Sequence, residues 1–226
     1  MCIRDRAEGA AFSVRLVDCV GYMVDSAVGQ FEDLSPRMVM TPWFDHEIPM
    51  TEAAEIGTRK VITDHATVGV VVTTDGTITD IPREDYREAE ERVIRELQDI
   101  GKPFVVLVNS AQPEDPRAAA AAAEIQTRYG VTCRCVNCLT LTEEDIGDIL
   151  RDLLYQFPLR ELDVFLPEWV DALPGEHPIR SGLYQEIGEA ASQLTRICAL
   201  PPCLAALSQG ENIESAAAST LSLIHI

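Results

Sequence analysis

Asp18 and Gly21, near the start of the chain, have the residue types and the spacing of a site for a nucleoside triphosphate. The mostly apolar residues 14–17 precede Asp18, and Gly21 follows three positions after it. An aspartate at the end of a strand can hold Mg2+, commonly through water, and a glycine amide can bind the γ-phosphate because no side chain blocks the approach. Asp18 and Gly21 are therefore the candidate catalytic residues, and Asp18 is the candidate magnesium ligand. The alternative is a strand that ends in a turn and binds nothing.

A second group of candidate ligands follows the apolar stretch 104–108. Asn109 and Ser110 stand there, with Gln112 two positions later. Guanine-specific proteins have Asn-Lys-x-Asp at this point, and the aspartate accepts two hydrogen bonds from guanine. A neutral amide at Gln112 cannot replace that carboxylate, so guanine discrimination is expected to be lost. Asn109 and Ser110 are the candidate nucleotide-binding residues; the alternative is that Asn109 only caps a strand end.

The loop that would cradle the phosphates is missing from the printed sequence. No stretch fits G-x4-G-K-[ST], and the only Gly-Lys pair, Gly101-Lys102, is followed by Pro103. In this kind of fold the loop follows the first strand, and 12 residues precede Ser13. We therefore expect the loop to lie upstream, and we expect the sequence as printed not to bind a triphosphate measurably.

Two further motifs have both a functional and a structural interpretation. In TTDGTITD, Asp75 and Asp80 could serve an active edge or a subunit contact, but a turn built on Asp75-Gly76 is the favoured interpretation. Cys133, Cys135 and Cys138 resemble half of a zinc site. Because a fourth ligand at suitable spacing is missing, and alternation places the first two on one face of a strand, we interpret them as core residues.

Composition limits the classes of function. The chain has 226 residues, 46% of them hydrophobic, with 18 Lys and Arg against 37 Asp and Glu. The net charge of −19 opposes binding to nucleic acid, which needs clustered cations. No apolar run is long enough for a membrane span, and the start does not resemble a secretory signal. Seven cysteines, an odd number, argue against a disulfide framework. These features favour a cytoplasmic protein.

Predicted strands and helices alternate along most of the chain. This order predicts an α/β fold with a mostly parallel sheet and helices on both faces, incomplete at its N-terminus. We assign residues 7–157 to this nucleotide-binding domain and residues 158–220 to the start of a second, α+β domain. Residues 1–6 and 221–226 match nothing expected and are interpreted as non-native ends.

The motifs TPW, EAAEIGTRKVI and TTDGTI, with the stretch around Asp18, resemble the stage IV sporulation protein A family of endospore-forming Firmicutes. The resemblance implies an ATPase of the translation-factor-like P-loop class that uses ATP and Mg2+. It implies a protein that polymerises into the base layer of the spore coat, in the mother-cell cytoplasm at the forespore surface. The implied partners are further copies of itself, a small amphipathic membrane-binding peptide and other coat proteins, with contact to the membrane surface only.

Two departures limit what the resemblance transfers. The family's phosphate loop and the threonines of its first switch are expected upstream, so Asp18 and Gly21 are the only triphosphate-side positions that transfer. The family's C-terminal region is also missing. Two alternatives stay open, a regulatory GTPase-like switch that does not polymerise and a structural module that uses no nucleotide.

Overall fold

The computed structural model of the chain describes residues 2–7, 10–24, 26–32, 35–210 and 212–218. The chain divides after Leu153 into two compact units. This division falls shortly before the predicted domain boundary at residue 158, and the domain limits stay a prediction. Residues 221–226, predicted to be a non-native end, lie outside the described residues.

Short antiparallel pairs of strands form the N-terminal part of the first unit. Here β1 pairs with β2, β3 with β4, and β5 with β6. The strands are β1 (Cys2–Ala7), β2 (Ala10–Arg15), β3 (Phe31–Glu32), β4 (Ser35–Pro36), β5 (Met38–Val39) and β6 (Ile48–Pro49). The strand expected to end at Asp18 ends instead at Arg15, and it pairs antiparallel with β1.

Helices and strands alternate in the rest of this unit, as predicted. They are α1 (Met50–Lys60) with a π-helical turn (Val61–His65), β7 (Gly69–Thr74), a 3-10 turn (Arg83–Tyr86) leading into α2 (Arg87–Asp99), β8 (Phe104–Asn109), α3 (Pro116–Tyr129), β9 (Cys133–Val136) and α4 (Glu143–Leu154). Local signals set the ends of α3. The side chain of Asp115 accepts a hydrogen bond from the Arg117 amide at 2.8 Å, and Gly130 ends the helix with φ +63°.

The strands β7, β8 and β9 form a parallel sheet in that order. Because α2 and α3 each connect neighbouring strands in the same direction, both lie on one face, and α4 covers the other. The first face buries residues of α2, α3 and the strands: Ile94, Leu97, Phe104, Val106, Val108, Ala121, Ala122 and Ile125. The second buries Val105, Leu107, Val136, Ile149 and Leu153. The predicted parallel sheet with helices on both faces is therefore confirmed at this level.

The cysteines of β9 are part of this packing. Cys133 is buried in the first core cluster and Cys135 packs against it, while Cys138 packs against the second. Burial raises the pKa of the Cys133 thiol to about 12, so the thiol stays protonated at neutral pH. The interpretation of Cys133 and Cys135 as residues on one packed face is confirmed.

One edge of the sheet lacks a described neighbour. Within the described ranges, β7 pairs only with β8. Val70 and Val72 of β7 lie on the same face of the sheet as Val105 and Leu107, which pack against α4. They are nevertheless 42% and 57% exposed. Among the residues that the structure describes, β7 is therefore an apolar edge strand of the sheet.

Helices make up most of the regular structure in the described part of the second unit. It contains α5 (Glu168–Asp171), α6 (Pro178–Ser192), a 3-10 turn (Ile197–Ala199) and α7 (Leu200–Leu207), and Pro158 and Arg196 form an isolated antiparallel bridge. An α+β domain is expected here, and the described part of the unit contains that bridge but no strand. Every helix in the described part of the chain is too short or too polar to cross a lipid bilayer.

Candidate functional site

Asp18 and Gly21 lie in segment 16–24, which follows β2 and has no regular secondary structure. The Asp18 side chain is exposed. Gly21 has φ +82°, in the left-handed region that favours glycine, and the position of a Cβ there is open space. Mg2+ is commonly bound by one or two carboxylates, waters and the substrate's phosphates. A single exposed aspartate beside an open glycine amide therefore fits the binding of Mg2+ together with a triphosphate.

Tyr22 fixes this segment to α2. Sequence patterns did not identify this residue. Its hydroxyl donates a hydrogen bond to Glu96 Oε2, and the Arg92 guanidinium lies 4.3 Å from the centre of its ring. Both partners are on α2. No local pattern connects residues 74 positions apart in the sequence, so only the fold shows the contact.

Asn109 and Ser110 lie at the carboxyl end of β8, the edge at which open α/β sheets bind ligands. Asn109 is half-buried, and its Oδ1 accepts a hydrogen bond from the Cys138 amide at 3.0 Å. Ser110 is fully buried, and Gln112, which follows in the same loop, is exposed. The side-chain oxygen of Asn109 thus already accepts a hydrogen bond within the protein. The nucleotide-binding roles of Asn109 and Ser110 stay predictions.

Asp75 connects the loop after β7 to the loop after β8. Its Oδ2 accepts a hydrogen bond from the Ser110 hydroxyl at 2.7 Å, and its Oδ1 accepts from the Thr77 amide at 3.0 Å and hydroxyl at 2.6 Å. Thr77 Oγ1 in turn accepts from the Ala111 amide at 2.9 Å. The turn predicted at Asp75 is present, with Gly76 at φ +91°, and it also fixes the Asn109 loop.

These contacts change the acidity of Asp75. Burial opposes ionisation, but the hydrogen bonds from Thr77 and Ser110 favour the carboxylate and hold the pKa of Asp75 below its ordinary value of 3.8. A carboxyl group with a lowered pKa in the folded state stabilises the fold fully above the unfolded-state pKa. It loses this effect as the pH falls through the folded-state pKa.

We expect Asp75→Asn to lower the free energy of unfolding of the first unit by about 1 kcal/mol at pH 7, because a charge-assisted acceptor is lost. The difference from wild type should shrink as the pH falls below 3.8, where the wild-type carboxyl also becomes protonated. Urea unfolding curves at pH 7 and at pH 3 measure both quantities. The matched control is Asp80→Asn, since Asp80 is exposed. A constant difference across the pH range would contradict the assignment.

A buried ion pair stabilises the loop that contains Asp75. Glu90 of α2 and Arg83 of the preceding 3-10 turn have side chains that are 4% and 11% exposed, and Glu90 Oε1 accepts a hydrogen bond from Arg83 Nη2 at 2.9 Å. A second close contact, between Arg83 Nη1 and Glu90 Oε2, measures 2.8 Å. Arg83 is fixed in turn to Thr73 of β7 by a longer hydrogen bond of 3.4 Å. The loop that contains Asp75 is thereby fixed at both of its ends.

The structure brings together only part of the predicted site. Asn109, Ser110 and Asp75 share one hydrogen-bonded edge of the sheet, whereas Asp18 and Gly21 lie in the segment fixed to α2. Within the described residues, no hydrogen bond or ion pair joins these two groups. The described residues also contain no group of three or more His, Cys, Asp or Glu placed to hold a metal ion.

Comparisons with known proteins identify the family. Residues 4–158 match the family model described as "Stage IV sporulation protein A, ATPase domain". The chain is 42% identical over 217 residues to stage IV sporulation protein A of Bacillus subtilis (strain 168), a match that covers 96% of this chain and 44% of that protein. The protein of the same name from Bacillus anthracis is 43% identical, with 92% of this chain and 42% of that protein covered.

A third relative lies outside the bacilli. Stage IV sporulation protein A of Clostridioides difficile (strain 630) is 38% identical, with 94% of this chain and 43% of that protein covered. The chain thus spans less than half the length of the curated relatives that it matches. No solved structure matches the chain. The family model covers more than half of the chain, and the chain belongs to the stage IV sporulation protein A family through its ATPase domain.

Proposed function

We propose that the protein to which this chain belongs is an ATP-hydrolysing member of the P-loop NTPase class that polymerises into the base layer of the spore coat. The observation that supports this most directly is the conformation of the Asp18 segment. An exposed carboxylate and an open glycine amide with positive φ stand three positions apart, as binding of Mg2+ and a γ-phosphate requires. When bound, Mg2+ with ATP would supply the reacting phosphates and the charge that neutralises their oxygens.

The Asn109 loop supports adenine over guanine as the base. Gln112 is exposed at this edge and offers a neutral amide where guanine recognition needs a carboxylate. Asn109 Oδ1 accepts a hydrogen bond from the Cys138 amide. The side-chain nitrogen, Nδ2, is therefore the atom of Asn109 that would donate to a base. Ser110, fully buried and bonded to Asp75, holds the loop in shape for this contact.

The proposed location and partners follow from the family. Assembly would take place in the mother-cell cytoplasm at the forespore surface. The protein would bind further copies of itself, other coat proteins and a small amphipathic peptide on the membrane. The net charge of −19 supports the exclusion of nucleic acid.

Phosphate release and sedimentation test the proposal in the protein at the full length of its relatives. We expect ATP to be hydrolysed in preference to GTP, and polymer to sediment only when ATP is turned over. The control is the same protein with a non-hydrolysable ATP analogue. The analogue should bind, but the protein should remain in the supernatant. Equal turnover of GTP would contradict the base assignment, and sedimentation without nucleotide would contradict the coupling.

A further inference from the structure

The contact between Tyr22 and α2 is a cluster of five side chains from three parts of the first unit. Tyr22 comes from segment 16–24, Glu55 and Arg59 from α1, and Arg92 and Glu96 from α2. Glu96 Oε1 accepts a hydrogen bond from Arg59 Nη2 at 3.1 Å, and Arg92 Nη1 donates to Glu55 Oε1 at 2.6 Å. The two groups that receive Tyr22 are therefore held by partners of their own on a second helix.

The chemistry of the Tyr22 contact makes it stronger than an ordinary loop contact. A hydroxyl that donates to a carboxylate forms a charge-assisted hydrogen bond, and a guanidinium over an aromatic ring adds a cation–π attraction. Burial, together with the Glu96 carboxylate, raises the pKa of the Tyr22 phenol above its ordinary value of 10.0. The phenol therefore keeps its proton and remains a donor throughout the physiological pH range.

The position of Tyr22 in the chain gives this contact its significance. Tyr22 is joined directly to Gly21, and Asp18 stands three residues before that glycine. The residues between them are exposed and form no regular structure, so they do not define a position of their own. The Tyr22 side chain is the part of this segment that bonds to a helix through a charged partner.

We propose that Tyr22 is a positioning residue, which fixes Asp18 and Gly21 relative to α2. Its contacts with Glu96 and Arg92 would thereby determine where Asp18 and Gly21 meet the triphosphate. The inference rests on the proposed function for the role of Asp18 and Gly21. The fixing itself is a property of this chain and is measured without nucleotide.

Cys19 provides a probe within the segment. It lies between Asp18 and Gly21 and is exposed, so a nitroxide spin label attached to it displaces no packed side chain. With the other cysteines replaced by alanine, the electron paramagnetic resonance spectrum of the 226-residue chain should show mainly an immobilised label. Tyr22→Phe and Glu96→Gln should each raise the ratio of mobile to immobilised label about tenfold, as expected for loss of a hydrogen bond to a charged group. Tyr22→Ala should raise this ratio further.

Tyr129, the last residue of α3, supplies a matched control because its contact is also with α2. Its hydroxyl donates to Glu91 of α2 at 3.4 Å, and Arg128 lies 5.2 Å from the centre of its ring. Tyr129→Phe removes the same kind of contact away from the segment and should leave the spectrum unchanged. Unchanged spectra in the Tyr22 variants, or an equal change in Tyr129→Phe, would overturn the proposal. Circular dichroism establishes that each variant is folded.

Kinetics of the full-length protein test the second half of the proposal. Tyr22→Ala should lower kcat for ATP about tenfold while KM changes less than about twofold, because the residue acts on the reacting geometry and not on general binding. A mobile label with unchanged kcat would overturn the positioning role. Absence of turnover in the wild type would refute the proposed function and, with it, this role in turnover, while the spectra would still decide whether Tyr22 fixes the segment.

Discussion

Replacing Asp18 by alanine is expected to lower ATP turnover by the full-length protein at least about a hundredfold, with little change in the stability of the fold. The carboxylate is the proposed outer ligand of Mg2+, and without it the ion is poorly placed to neutralise the phosphate oxygens as charge moves between them. The fold should be spared because Asp18 is exposed and lies outside the helices and strands. Phosphate release at saturating ATP measures the loss, and sedimentation should show that assembly fails with it.

The matched control for this change is Asp45→Ala, which removes another exposed aspartate from the irregular region of the same unit. Its turnover should equal that of the wild type. Full activity in Asp18→Ala would mean that segment 16–24 is only a turn after β2. A comparable loss in both variants would assign the effect to surface charge and not to the site.

Replacing Glu90 by glutamine is expected to lower the free energy of unfolding of the first unit by about 3 kcal/mol. The change keeps the size of the side chain but leaves the guanidinium of Arg83 buried without its counter-charge. Guanidinium chloride unfolding measures the effect. A Trp169→Phe background leaves Trp43, which lies in the first unit, as the only tryptophan reporter.

Two variants separate charge from packing in this experiment. The double change Arg83→Met with Glu90→Leu removes both charges and should return the stability to within about 1 kcal/mol of the wild type. Glu124→Gln breaks the exposed pair between Arg87 and Glu124, whose side chains are 46% and 42% exposed, and should cost less than about 1 kcal/mol. Equal losses in Glu90→Gln and Glu124→Gln would contradict the buried-pair assignment.

Local signals predicted the elements of the parallel sheet correctly. The ends of α3 follow from an aspartate cap and a left-handed glycine, and β7 and β8 follow from apolar, β-branched runs of the length of a strand. These signals act within a few residues, so the sequence alone is sufficient to find them.

The predictions that failed depend on partners distant in the sequence. Apolar residues recur at helical spacing along α2, at Ala89, Val93, Leu97 and Ile100, and this pattern predicts one buried face. Leu97 is buried as expected, but Glu90 is buried as well and Ile100 is 44% exposed. Glu90 tolerates burial because Arg83 neutralises it, and no apolar period encodes such a pair. The strand before Asp18 ends at Arg15, which pairs with Cys2, the first residue of its described neighbour β1. Strand pairing is decided by the whole fold and not by the composition of one strand.

The candidate residues can be found in the sequence, whereas the contacts that hold them cannot. The spacing of Asp18 and Gly21 and the position of Asn109 after a strand are visible in the sequence. The bond from Ser110 to Asp75 spans 35 residues, and the bond from Tyr22 to Glu96 spans 74. A sequence pattern proposes candidate residues, and the tertiary structure determines which other residues hold them in place.

The apolar edge strand β7 has a consequence for the behaviour of the chain in solution. An exposed edge with free backbone groups and apolar side chains such as Val70 and Val72 is a template on which another strand can form, and two such edges can pair between molecules. The net charge of −19 opposes this aggregation, because identical molecules repel one another at low ionic strength. At 0.1 M, salt screens the repulsion between charges more than about 10 Å apart and leaves the apolar edge unchanged. We therefore expect the aggregation of this chain to increase with ionic strength, which light scattering in buffers of rising salt concentration would measure.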